Sequence, residues 1–413
     1  MSLMGFFWVE PEKDYFKSYD DLLQDIQSKR FVDKYIKNNN NYNFFLDLIC
    51  SMLTDRQFAL IDKDWSQAEL NNLGLNEIDL TENVKLESND FFSIDEVLNR
   101  ISQYKEWKLG FYTSGTTGRP KFISHNLGVL SRNVKTGSRF QKNIWGFCYN
   151  PTHFAGIQVF LQAFFNQNSI INLFNMDYSI VERTIKKYAI SHLSATPTYY
   201  RSLYPFLHES CPLVERITFG GEIFDDQIAQ MLINYFPNAK ITNVYASTEL
   251  GSVLAGEGNT LKIPEEFKDR IKISEDGELV VHRSLMGEDT SLDNDLWFST
   301  GDIVTNEPDG TIKFISRKTE MINVGGYKIN PHEIEGIINE IHEIQDSIVY
   351  GRDNRITGKV LVAEVVLRPG YTGDMERKIF EYLSGHLQPW KIPRMIKITD
   401  SIDRTRTGKK VRK

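Results

Sequence analysis

An α/β architecture in two units follows from the length of the chain, from alternating helix and strand patterns in its middle, and from a change of texture after Gly251. At 413 residues the chain exceeds what one hydrophobic core usually serves, so more than one domain is expected. From Tyr112 to about Gly251 helical and strand periodicities alternate, the pattern of sheets layered with helices. Short strands separated by turn residues then take over, and from Arg317 onward the pattern is that of a compact α+β unit. The division predicted is a large N-terminal unit, 1–317, and a small C-terminal unit, 318–413.

In chain order, the first hundred residues read as mainly helical. Leu22, Leu23 and Ile26 share one face of a helix from Asp20 to Lys29, and Phe44, Phe45, Leu48, Ile49 and Met52 recur at three- and four-residue spacings between Asn43 and Leu53. Asn38 to Asn41 reads as a loop. Ser93 with Glu96, ahead of Val97, Leu98 and Ile101, has the form of a capping box. Trp107 to Tyr112 reads as a strand, and a helical pattern begins near Leu127. Ser179 with Glu182 looks like a second capping box, opening a helix that runs to Tyr188. Ile190 to Pro197 reads as a strand ending in a turn, Arg216 to Phe219 as a strand, Gln227 to Phe236 as a helix, and Ile241 to Tyr245 as a strand. Gly277 to Val281 and Asp309 to Ile315 are further strands, with Asp309-Gly310 a hairpin signal.

Composition excludes several classes. With 41% hydrophobic and 25% charged residues the chain is an ordinary globular one. Its net charge of −7, from 48 basic and 55 acidic residues, offers no general attraction to nucleic acid or anionic membrane. Cys50, Cys148 and Cys211 are far apart, with no C-x-x-C and no nearby histidine cluster, so no zinc ribbon is expected and a reducing, cytoplasmic compartment suits them. Gly5 to Val9 is too short for a signal segment, and no apolar run reaches the roughly 18 residues of a spanning helix.

The chemistry concentrates in a few strings. Tyr112-Thr113-Ser114-Gly115-Thr116-Thr117-Gly118-Arg119-Pro120-Lys121 joins hydroxyl side chains, two glycines that let backbone N–H groups crowd an anion, and a lysine, the makings of a polyphosphate cradle. It lacks the spacing of a Walker A loop. Further along stand Gly220-Gly221-Glu222, Tyr245-Ala246-Ser247-Thr248-Glu249, Trp297-Phe298-Ser299-Thr300-Gly301-Asp302, the stretch Arg317 to Glu335, and Asp403-Arg404-Thr405-Arg406-Thr407-Gly408-Lys409-Lys410-Val411-Arg412. In this order, from about residue 107 to the end, they resemble the AMP-forming adenylating enzymes: acyl-CoA synthetases, peptide-synthetase adenylation domains and firefly luciferase.

The resemblance implies a large adenylating domain and a small C-terminal domain that rotates between two half-reactions. It implies that Thr113, Ser114, Gly115, Thr116, Thr117, Gly118 and Lys121 hold the phosphates of ATP, and that Gly221 and Glu222 line the adenine site. Tyr245 would stack on adenine, Thr248 would meet the α-phosphate, and Glu249 would hold Mg²⁺, which favours one or two carboxylates beside phosphate oxygens. Asp302 would accept both ribose hydroxyls, as a carboxylate can without a cation. Arg317 would contact ribose or phosphate, with the hinge beside it at Thr319, where aspartate or lysine is usual. Gly325 and Gly326 would line the pantetheine tunnel, and Lys409 would bridge the attacking carboxylate and the α-phosphate. Ala246 and Asp403 depart from the family's glycine and proline.

For the substrate, Tyr149 to Gly156 offers no acid to pair an amino acid's ammonium, whose burial without a counter-ion is costly. His153 and Phe154 are similar to the aromatic pair of aryl- and fatty-acid ligases, and Ala195, Thr196 and Ile217 are candidates for the acyl pocket. The resemblance therefore implies ATP- and Mg²⁺-dependent activation of an aromatic or fatty carboxylic acid to an acyl-adenylate, then thioester formation with CoA. Two alternatives stand beside it: transfer to the phosphopantetheine of an acyl carrier protein, and a nucleotide-binding relative without turnover. The region before residue 107, and the gap between Glu249 and Thr300, are shorter than the family's usual ones.

Overall fold

The protein is described here from a computed structural model, which covers residues 5–37, 39–63, 65–75, 79–87, 90–113, 121–289, 295–324, 327–354, 358–371, 373–404 and 410–412. An eight-stranded sheet lies at its centre. Six strands run parallel in the spatial order Lys240–Ser247, Arg216–Gly220, His192–Ala195, Ile144–Phe147, Ser169–Asn172 and Phe6–Glu10, with Gly251–Gly256 and Tyr15–Ser18 antiparallel at the two edges. Helices Phe154–Phe164, Tyr178–Lys187, Pro197–Leu203 and Asp226–Ile233 connect successive parallel strands.

Both faces of this sheet are covered, which is why its strands carry continuous apolar runs. Neighbouring residues divide between the two sides: Trp8 and Ile170 join a cluster with Phe45, Phe147, Phe160 and Phe164, while Val9 and Ile171 join Val181, Leu203, Phe219 and Leu232. In the first cluster the Phe45 and Phe160 rings stack at 4.5 Å. Each such side chain contributes about 1.5–3 kcal/mol by leaving water. Beyond that cluster lies a second sheet of five strands, including Gln57–Ile61, Lys108–Thr113 and Lys121–Asn126. A third sheet, fully antiparallel, includes Glu278–His282, Trp297–Asn306 and Ile312–Arg317. The last apolar cluster draws only on residues from Ile322 to Ile396, around the strands Ile344–Asn354, Gly358–Leu367 and Met395–Ile398.

Five readings of local structure need correction. The first hundred residues are not mainly helical, since Phe6–Glu10 is a strand buried inside the central sheet and Tyr15–Ser18, Tyr35–Lys37 and Gln57–Ile61 are strands as well. A short apolar run without alternation is what a two-sided parallel strand looks like. Ser179 does not cap its helix: Asp177 does, accepting from Ser179 N, while Glu182 turns away to accept from the backbone N–H of Glu209 at 3.0 Å. Ser93 caps the Ile94–Ile101 helix, yet Glu96 accepts from Phe92 N rather than closing a box. Pro197 opens a helix capped by Thr196 instead of a plain turn, and Asn41 belongs to the Asn41–Ser51 helix that Asn40 caps.

Candidate active site

The chain passes from strand Ile144–Phe147 to Ser169–Asn172 on one side, then returns past it to His192–Ala195 on the other. A reversal of this kind leaves a crevice at the carboxyl ends of the parallel strands. Thr196, Gly221 and Thr248 directly follow the ends of such strands, and His153 lies in the turn between the end of Ile144–Phe147 and the next helix.

Asp302 comes to the same region from the antiparallel sheet. It is 2% exposed, and it follows Gly301, whose φ of 76° suits glycine. Tyr245 donates its hydroxyl to Asp302 Oδ2 at 2.5 Å. Arg317, the pairing partner of Asp302 on the adjacent strand, places Nε 2.9 Å from Oδ1. Burial and the adjacent carboxylate push the Tyr245 hydroxyl well above its ordinary value, so it remains a donor at neutral pH. Burial works against the Arg317 charge, but Asp302, Tyr245, Glu320 and Glu249 outweigh it and hold the guanidinium above its usual value. Glu249 therefore lies within electrostatic reach of the group that faces Asp302.

Thr248 and Glu249 are half-buried in the turn after Lys240–Ser247. His125, which the motif reading passed over, fixes that turn: its Nε2 lies 2.6 Å from the Thr248 carbonyl oxygen. Its ring packs against Phe111 and Phe154, and burial lowers its pKa to about 4. It is neutral at pH 7 and donates from Nε2. Phe154 is 7% exposed and packs into this cluster, next to the half-buried His153. Lys121 starts the strand opposite Thr113; Ser114, Gly115, Thr116, Thr117 and Gly118 lie outside the described residues.

Gly221, with a φ of 82°, and Glu222 follow the Arg216–Gly220 strand. Glu222 accepts from Thr198 Oγ1 at 2.8 Å and from Thr198 N at 3.2 Å. Ala195 and Ile217 are fully buried in the apolar cluster between sheet and helices, so they do not line an open acyl pocket, and Thr196 serves as a helix cap. His153 is half-buried at the N-cap position of Phe154–Phe164 and makes no side-chain cap bond there. A carboxylate absent from the local sequence does reach this turn: Asp62 accepts from Asn150 Nδ2 at 2.7 Å and is thereby engaged.

Lys409, Gly325 and Gly326 lie outside the described residues. Their neighbours do not. Arg404 pairs with Lys410 in an isolated antiparallel bridge; Arg404 donates to Thr198 Oγ1 at 2.7 Å, and Arg412 is held by Glu335 and the Val349 carbonyl. The closing segment thus meets the same wall as Glu222.

These groups fit a nucleotide: the Asp302 carboxylate suits a diol, the Tyr245 ring a base, and half-exposed Glu249 a hard divalent cation. Among the described residues no group of three or more His, Cys, Asp or Glu side chains could hold a metal ion. No helix among them is long and apolar enough to cross a membrane.

Comparison with known proteins agrees. The family model described as AMP-binding enzyme matches residues 88–274, and that described as AMP-binding enzyme C-terminal domain matches 333–409. The 2-succinylbenzoate–CoA ligase of Staphylococcus epidermidis is 26% identical over 330 residues, covering 73% of this chain and 68% of that protein. A mitochondrial acyl-coenzyme A synthetase of Mus musculus is 24% identical over 355 residues, covering 76% and 62%. Among solved structures, the o-succinylbenzoate CoA synthetase of Bacillus subtilis in complex with its acyl-adenylate superposes with a TM-score of 0.73 at 17% identity, covering 100% of this chain and 95% of that one. ATP-bound MatB from Rhodopseudomonas palustris gives 0.77 at 17%, covering 98% and 94%. The chain belongs to the AMP-forming adenylating enzymes and is an acid–thiol ligase of that family.

Proposed function

We propose that the substrate is an aromatic or fatty carboxylic acid without an α-ammonium group, and that CoA, rather than a carrier protein, takes the acyl group, in the cytoplasm. The observation that carries the nucleotide part of this reading is Asp302, a buried carboxylate in the Trp297–Asn306 strand whose two oxygens face Tyr245 and Arg317. Ribose hydroxyls find there an acceptor already organised and shielded from water.

In the first half-reaction a carboxylate oxygen of the acid attacks the α-phosphorus, and the bond to the pyrophosphate oxygen breaks. In the second the thiol sulfur attacks the acyl carbon, AMP leaves with the bonding pair, and the thiol proton goes to solvent. No nucleophilic side chain is needed; positioning and charge neutralisation supply the rate. Glu249 holds Mg²⁺, which when bound offsets the phosphate charge. Thr248 meets the α-phosphate, its backbone pinned by His125. Thr113 to Gly118 and Lys121 hold the phosphates, Gly221, Glu222 and Tyr245 the base, His153 the entrance to the acyl site, and Lys409 the developing charge at phosphorus. Gly325 and Gly326 pass the pantetheine arm, and the division between 1–317 and 318–413 is where the small unit turns.

The acid class rests on the turn 149–156, where the carboxylate that arrives, Asp62, is engaged by Asn150. A pyrophosphate-release screen with 2-succinylbenzoate, benzoate, medium-chain fatty acids and alanine, each with and without CoA, tests the reading. Release with an acid lacking an ammonium group, and a CoA thioester product, is the expected result. Release with alanine alone overturns the acid class. Adenylate formation without transfer to free CoA favours the carrier-protein reading, and ATP binding without acid-dependent release favours a relative that has lost turnover.

A further inference from the structure

Asp346 lies near the start of the Ile344–Asn354 strand, 4% exposed, and three cations converge on it. Arg201, from the Pro197–Leu203 helix of the large unit, donates Nη1 to Oδ1 at 2.9 Å. Lys410 Nζ stands 2.7 Å from the same oxygen, and Arg404 Nη2 donates to Oδ2 at 2.6 Å. Arg404 and Lys410 are the paired residues on either side of 405–409, so the residues flanking Lys409's segment on both sides are tied to one carboxylate. Lys410 is tied further by the Ser347 carbonyl at 2.6 Å. The second nitrogen of Arg201 is taken by Asp225 at 2.8 Å.

We infer that Asp346 is a positioning residue for Lys409, holding Arg404 and Lys410 on either side of 405–409, and that Arg201 is the grip of the large unit on that anchor. This rests on the role proposed above for Lys409. The charges on the two sides are complementary. On the large unit, Arg201 stands among two carboxylates, Asp225 and Glu222, and leaves that patch negative; on the small unit, Asp346 stands among Arg404 and Lys410 and leaves its patch positive. Docking cancels the excess on both sides, in surroundings where few waters screen it. Burial by itself raises the Asp346 pKa, but Lys410, Arg201 and Arg404 together bring it down to about 2, so the anchor is charged throughout the physiological range. Arg404 then links the anchor through Thr198 to Glu222.

The experiment uses the full chain with Arg201→Gln and, separately, Asp346→Asn. Amide exchange of the peptides covering 403–412 and 196–203 is followed with and without ATP·Mg²⁺. Arg201→Gln touches no residue of the closing segment, yet it should speed exchange at 403–412 by about tenfold while leaving the core strands 192–195 and 216–220 protected. Asp346→Asn should do the same more strongly. Unchanged exchange at 403–412 in Arg201→Gln overturns the inference, whether or not any acid is activated. With an acid from the screen, Arg201→Gln should lower kcat for ATP–pyrophosphate exchange about tenfold, leave KM for ATP within about threefold, and spare thioester formation from a supplied acyl-adenylate and CoA. Equal loss in both half-reactions would mark a merely structural contact and also overturn it. If the parent chain activates no acid at all, the reading of function fails while the exchange measurement still decides the role of Asp346.

Discussion

Tyr245 and Asp302, 57 positions apart in the sequence, meet hydroxyl to carboxylate at 2.5 Å. Each had been assigned a separate part of the nucleotide, base and ribose, and in the structure they form one pair with Arg317 beside them. The carboxylate is thus held in a fixed orientation, and its charge is compensated from one side.

Tyr245→Phe keeps the ring and removes the donor. Urea denaturation should show a loss of about 2 kcal/mol, the usual worth of a hydrogen bond to a charged group, while ATP affinity by calorimetry stays within about threefold. Asp302→Asn removes the charge that Arg317 faces and one acceptor for the diol. ATP affinity should then fall about tenfold or more; an unaltered affinity would place the ribose elsewhere.

Lys409→Ala should leave ATP binding within about threefold and lower acid-dependent pyrophosphate release by about 10²–10³, the effect of removing one placed charge at a transition state. Release at the parent rate would refute the role given to Lys409.

The stability of the fold should fall on mild acidification. Burial lowers the pKa of His125 and of His192 to about 4, so both stay neutral in the folded chain while the unfolded chain takes up protons near its ordinary value, about 6.5. Their neutral burial costs nothing above that value, and stability is lost as pH falls toward 4, by about 2 kcal/mol for each between pH 7 and 5. His332 acts in the other direction: burial opposes its charge, but Glu320 and Glu335 outweigh burial and raise its pKa. Its contribution is full below 6.5 and is lost as pH rises through the raised value. With two histidines against one, denaturation midpoints should drop from pH 7 to pH 5, and His192→Gln should remove about 2 kcal/mol of that drop.

Much was legible in the chain, for a local reason. The helices Tyr19–Ser28, Asn41–Ser51 and Asp226–Ile233 and the strands Lys108–Thr113, Arg216–Gly220 and Lys240–Ser247 each carry their own periodicity, and the Asp309-Gly310 signal does mark a hairpin, although its first strand, Trp297–Asn306, is not one that the sequence reading identifies. The misreadings have a local cause as well. Phe6 to Val9 has no alternation because both of its faces are covered, and Asp177 outcompeted Ser179 as a cap because either residue satisfies the same local rule.

The sequence by itself determined which residue types the site would use and in what order, because phosphate, ribose and Mg²⁺ each demand a particular kind of group, and those groups sit in short recognisable strings. What only the tertiary structure decided is which partners those groups keep. His125 under Thr248, Arg201 on Asp346, Arg404 on Thr198 and Asp62 under Asn150 are ion pairs and hydrogen bonds between residues far apart in the chain. A carboxylate or a guanidinium carries no mark of its partner in its own sequence neighbourhood; the pairing is set by the packing of strands and helices that bring the two together.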